Sequence, residues 1–145
     1  MRLTMTTSLP QQPSSIGEAR RILAVLLSLT AAEEQARDHL ALVLTEACAN
    51  VVQHGDLGCT IDLHVVIESG TCVLEVGNRG RRPNGASLPP RPPDPAQLHG
   101  RGLPLIAALS DSAQFVPATP GYVLLRITLR LHARTNARAA DPSGP

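Results

Sequence analysis

The stretch TEACANVVQHG, residues 45–55, spaces Glu46, Asn50 and His54 four residues apart. On a helix turning about 100° per residue these three fall within about 80° of one another, at the border of the apolar stripe rather than opposite it. Two readings fit. In the first they form a hydrogen-bonded flank, with Asn50 bonding Glu46 one turn away and His54 capping the negative end of the helix dipole. In the second they serve a ligand: magnesium carried on nucleotide phosphates is a hard ion that prefers oxygen, keeps several waters and can take a single Asn carbonyl from the protein. A carboxylate one turn away, Glu46, then orients or deprotonates an attacking water or serine hydroxyl. This second reading needs a phosphate cradle elsewhere. HGRGLPL offers one, with Gly100 and Gly102 just before a helix, where the backbone can approach closely and N–H groups favour phosphate oxygens. A lid hinge or a plain helix entry explains a lone GxG equally well.

The elements that must position these groups follow from periodicity. Ser15 and Glu18 match a capping box, and Ile16, Ala19, Ile22, Leu23, Leu26 and Leu27 recur at helical spacing, which predicts a first helix over 16–29. A second helix is predicted over 32–52, with Leu40, Val43, Leu44, Ala47 and Val51 on one face and Gly55 as its stop. The alternating runs TIDLHVVIES and TCVLEV meet at Ser69-Gly70 and read as a β-hairpin, with His64 pointing outward. Residues 77–99 are dense in proline and glycine and read as a long loop of the kind that forms lids or binding loops. A short third helix is expected from near Leu103, followed by strands at AQFVP and GYVLLRITLRL. The order α, α, β, β, loop, α, β, β implies an α+β fold, with helices on one face of a mixed, mostly antiparallel sheet. The domain is expected to span 14–131, between a flexible N-terminus over 1–13 and a flexible tail over 132–145.

Composition narrows the function. A chain of 145 residues suits one domain, and a net charge of +1 creates no field to draw it onto nucleic acid or an anionic membrane. Phe115 and Tyr122 are the only aromatic residues, too few for the stacking platforms of single-stranded nucleic-acid binders. Cys48, Cys59 and Cys72 have neither disulfide parity nor metal-ligand spacing, and they read as small buried residues in a reducing compartment. With no signal-peptide core and no apolar run of membrane-spanning length, the expected location is the cytoplasm.

With these motifs in this order, the chain resembles the gyrase and histidine-kinase ATPase superfamily. Within it the resemblance is to the small bacterial anti-sigma factors that are also serine kinases, over roughly residues 15–131. EACANVVQH is similar to the family's N box, which implies Glu46 as general base and Asn50 as magnesium ligand. EVGNRG is similar to the first glycine box, implying nucleotide contacts from Asn78 and Gly80. GRGLPLIAALSD is similar to the second, implying contacts from Gly100, Arg101, Gly102 and Leu103, with an ATP lid over about 77–101 between the boxes. The resemblance implies a two-layer α/β sandwich of the Bergerat type with ATP and magnesium as cofactors. It also implies a homodimer that sequesters a sigma factor and phosphorylates a serine on an anti-sigma factor antagonist. Arg20 and Arg21 on the first helix are then candidates for a salt bridge to an acidic sigma surface, although a solvated helix face describes them too.

Three residues depart from the family pattern. Asn78 stands where the family has the Asp that accepts the adenine amino group, Arg82 replaces the second glycine of that box, and Tyr122 replaces a Thr near adenine. A neutral hydrogen bond in place of a charge-assisted one costs about 1 kcal/mol. The alternative implied is a member that binds nucleotide weakly or not at all and acts purely as a sigma and antagonist binding module.

Overall fold

The computed structural model describes residues 1–82 and 102–133. Gly100, Arg101, the expected lid beyond Arg82 and the tail from 134 to 145 lie outside the described residues. In chain order the elements are β1 (Arg2–Pro10), α1 (Ser14–Ser28), α2 (Glu34–His54), β2 (Thr60–Glu68), β3 (Thr71–Arg79), α3 (Gly102–Leu109), β4 (Ser112–Val116) and β5 (Tyr122–Arg130). The five strands form one sheet in the order β1-β2-β3-β5-β4. Every pairing is antiparallel, in keeping with the mostly antiparallel sheet expected. The helices share a core with one face of this sheet, giving the expected two-layer α+β fold.

Strand periodicity explains the layering. Ile61, Leu63, Val65 and Ile67 of β2, Cys72, Leu74 and Val76 of β3, and Leu125, Ile127 and Leu129 of β5 are all buried, each two residues from the next. The central helix α2 meets them with Leu40, Val43, Leu44, Ala47 and Val51, spaced as one face of a 3.6-residue period. At the β2–β3 turn Ser69 and Gly70 have φ of 51° and 72°, so both central residues are left-handed and the two-residue hairpin takes the twist that suits its strands. No helix among the described residues is long and apolar enough to cross a membrane.

The N-terminus departs from expectation. Residues 2–10 are not a loose leader but the edge strand β1, paired along its whole length with β2 from Arg2↔Glu68 to Pro10↔Thr60. Its inward Leu3, Met5 and Leu9 pack against the core, so the strand is held by the apolar row of its neighbour as much as by its own. The capping box also does not form. Pro13 stands at the N-cap of α1 without a side-chain cap, its φ of −57° already helical, and Ser15 is turned inward, 1% exposed, with no partner for Oγ among the described residues. The hairpin, α2 and β5 lie close to where periodicity puts them, but β3 runs on through Asn78 and Arg79 because its pairing with β5 continues to Arg79↔Tyr122.

The sheet's other face is polar. Ser8 and Thr60 donate hydrogen bonds to Asp62 Oδ1 at 2.8 and 2.6 Å, and Tyr122 Oη donates to Asp62 Oδ2 at 2.7 Å. Tyr122 reaches Asp62 by crossing Gly77, where a Cβ would stand 2.2 Å from the phenol oxygen. Burial works to raise the Asp62 carboxyl, but the bonds from Thr60, Tyr122 and Ser8 outweigh it and hold the pKa below the usual carboxylate value. The Tyr122 phenol is raised, by burial first and then by its bond to Asp62. The lowered carboxylate stabilises the fold above the unfolded-state pKa, and that stability is lost as pH falls. The raised phenol stabilises it below the unfolded-state pKa, and that stability is lost as pH rises past it. Asp62→Asn is therefore expected to flatten the acid limb of a urea-midpoint profile below about pH 4, and Tyr122→Phe the alkaline limb above about pH 10. Unchanged limbs in both variants would count against this linkage.

All three cysteines are free and buried. Burial pushes Cys48 and Cys72 up to about 12, and Cys59 is raised by burial and then by the charges of Asp56 and Asp62.

Candidate active site: a cleft between the central helix and the sheet

The C-terminal half of α2, the ends of β3 and β5, and the start of α3 border a small cleft that opens to solvent. Asn50 and His54 of α2 line it on one side, Asn78 and Arg81 on another, and Leu103 and Phe115 close it. The four-residue spacing on α2 thus delivers Asn50 and His54 to one opening. His54 is a lining residue as well as a member of the last helical turn.

Glu46 joins this group through α3. A Cβ on Gly102 would stand 3.0 Å from Glu46 Oε2 and 3.5 Å from Asn50 Oδ1, so the backbone here lies close against both side chains and a larger residue would press on the Glu46 carboxylate. The first turn of α3 therefore begins against the carboxylate and the amide, with its amide groups and positive dipole end on that side. Two motifs more than fifty residues apart in the chain meet here.

The end of α2 is pinned by a residue that composition assigned to a loose leader. Gln11 Nε2 donates to the carbonyls of Val51 and Gly55 at 3.2 and 3.1 Å, and its Oε1 accepts from Gly58 N at 3.0 Å. The Val51 carbonyl also accepts from Gly55 N–H at 2.9 Å, so Gln11 adds a second bond there and ties the helix end to the turn that follows. Gly55 does stop the helix, but with φ of −64° it serves through space rather than handedness, since a Cβ would lie 2.7 Å from both Cys59 Sγ and the Val51 carbonyl.

At the far end of the cleft Asn78 is 8% exposed, and its Nδ2 donates to the Arg79 carbonyl at 2.9 Å. That bond orients the amide and leaves its oxygen as the acceptor Asn78 can offer the cleft. Gly80 sits behind it: φ is +151° and the N–H donates to the Gly121 carbonyl at 2.9 Å, so this glycine shapes the exit from β3 and its amide is already engaged. Tyr122 is not near the cleft, because strand parity sends its side chain to the opposite face and gives the cleft Val123 instead. Arg20 and Arg21 are exposed on α1 and do not line the cleft. Sequence reading missed the wall residues Arg81, Phe115 and Val123, although the alternation of β5 was the signal that Val123 and not Tyr122 faces inward.

A family profile for the histidine kinase-like ATPase domain matches residues 9–129. The chain belongs to this family. The matched span begins at the end of β1 and ends within β5, so it takes in β2, β3, β4, the helices α1, α2 and α3, and nearly all of β5. A solved structure, the RsbU and RsbW domains of Rv1364c from Mycobacterium tuberculosis, superposes with a TM-score of 0.64 at 18% identity. The match covers 89% of this chain and 32% of that one, so the chain spans about a third of the protein it resembles. No curated protein matches the chain.

The donor set here has the chemistry a magnesium nucleotide would need: Asn50 would offer the amide oxygen such an ion takes from protein, Asn78 would offer an acceptor for a base, and the helix N-terminus at Gly102 would offer backbone N–H groups to a phosphate.

Proposed function

We propose that the protein binds ATP with magnesium, transfers phosphate to a serine on an anti-sigma factor antagonist, and sequesters a sigma factor, in the cytoplasm and as a homodimer. The observation that carries the reading is the approach of Gly102 to Glu46 and Asn50. A bare backbone turn at the start of a helix, beside a carboxylate and an amide, is what phosphoryl transfer to a hydroxyl requires. Bound magnesium nucleotide supplies the transferable phosphoryl group. Asn50 holds the ion, Glu46 accepts the serine hydroxyl proton, Gly102 and Leu103 border the phosphates with Gly100 and Arg101 before them, and Asn78 accepts from the base. Partner binding falls to α1, where Arg20 and Arg21 stand exposed for an acidic surface. The family match and the likeness to a structure with an RsbW domain support this assignment. Equilibrium binding of labelled ATP with magnesium, followed by label transfer to a co-purified antagonist, tests it; the absence of a saturable site at millimolar ATP would overturn it.

A second reading, a binding module with little or no catalysis, is favoured by one observation: the base acceptor is the neutral Asn78 and not a carboxylate. Asn78→Asp is expected to tighten ATP binding by about 1 kcal/mol, or several-fold, by turning a neutral acceptor into a charged one. A titration in which the variant binds no better would show that the Asn78 position does not limit affinity.

A further inference from the structure

We propose that Phe115, clamped from outside by Arg82, is the wall on which the nucleobase stacks. The inference rests on the nucleotide reading above and deepens it. Phe115 is the chain's only phenylalanine, and the other aromatic residue, Tyr122, is committed to the opposite face of the sheet. On β4 it pairs with Leu125 and is half-buried, with its ring lining the same cleft as Asn78. The cleft therefore holds the two things that recognise a base, a hydrogen-bonding edge reader and a flat π surface.

Arg82 explains how that ring is held. Its guanidinium lies 4.7 Å from the centroid of Phe115, within cation–π distance, while Arg82 itself does not line the cleft. The cation thus holds the ring from a position that does not line the cleft, while Phe115 itself does. Arg82 also stands where the resemblance leads one to expect a glycine, so the departure has a physical use: a bare backbone cannot hold an aromatic side chain in place, and a planar guanidinium can. Arg82 is thus a positioning residue that acts through Phe115, and Phe115 is the binding residue. The ligand class is a purine nucleotide, whose two fused rings cover more of the wall than a pyrimidine does.

The chain contains no tryptophan, which makes the test direct. With Phe115→Trp, titration with magnesium ADP, adenosine and CTP reads the indole at the cleft wall. The expected result is saturable quenching by ADP and by adenosine, with CTP much weaker and ADP affinity retained. Phe115→Leu is expected to weaken ADP and adenosine alike, on the order of tenfold or more. Arg82→Ala is expected to weaken both by a smaller factor and to cost nothing further in the Phe115→Leu background, since the two act as one unit. A loss in Arg82→Ala that affects ADP but not adenosine and persists without Phe115 would make Arg82 a phosphate contact and overturn the positioning role. If the wild-type protein binds ADP while the indole stays silent and Phe115→Leu binds equally well, the stacking wall is wrong and the nucleotide reading stands. If the wild-type protein binds no nucleotide, both fall. Should Phe115→Leu fail to fold, the indole signal still decides.

Discussion

If the protein is the serine kinase proposed above, replacing Glu46 by Gln is expected to lower the rate of phosphate transfer to a serine acceptor by about 10²- to 10⁴-fold, the range over which positioned acid–base groups act. The amide keeps the shape of the side chain packed against Gly102, but it cannot take up the serine proton. Magnesium ATP binding should change only a few-fold, because the proposed function assigns the ion to Asn50 and the base to Asn78. Asn50→Ala is the informative contrast, since it should weaken binding itself and make the loss sensitive to magnesium concentration. Single-turnover transfer measured beside equilibrium binding separates the two effects. A Glu46→Gln enzyme with an unchanged transfer rate would remove the carboxylate from the chemistry and leave it as a flank of the helix.

The largest effect on folding is expected at the centre of α2. Leu40 is 0% exposed and belongs to the core that α2 shares with the other helices and the sheet. Leu40→Ala removes buried methyl groups and leaves a cavity bounded by rigid strands, which costs about 2–5 kcal/mol. For a domain of this size each kcal/mol lowers the midpoint by about 2–4 °C, so a fall of roughly 5–15 °C is the measurable outcome. Leu42 lies two residues away on the same helix but is 48% exposed, and Leu42→Ala should stay within about 0.5 kcal/mol. Equal losses from both variants would mean that the helix is not oriented as described.

Much of this arrangement was legible in the sequence, for reasons that differ by element. α2 and the β2–β3 hairpin announce themselves because each carries a complete apolar period of its own, and Ser69-Gly70 supplies the two left-handed residues the turn demands. β1 was not legible in the same way: Leu3, Met5 and Leu9 alternate, but Thr7 interrupts the row and the strand relies on β2 for its partner. Glu46, Asn50 and Gly102 were picked out from residue type, and their convergence required the fold. The position of Tyr122 is the instructive miss. A motif comparison aligns residues but does not count strand parity, and a single step along β5 separates the cleft from the opposite face of the sheet. Arg82 could be seen as unusual, whereas its companion Phe115 could not be paired with it before β4 was placed beside β5.

The buried sulfurs give the molecule a clock of its own opening. With Cys48 in α2, Cys72 in β3 and Cys59 beside the turn that follows α2, all enclosed, a maleimide added to the folded chain can react only during excursions that expose them. The pace of adduct formation at each sulfur then ranks the parts of the domain by how often they come apart, and a nucleotide that closes the cleft should slow the sulfur of the central helix most.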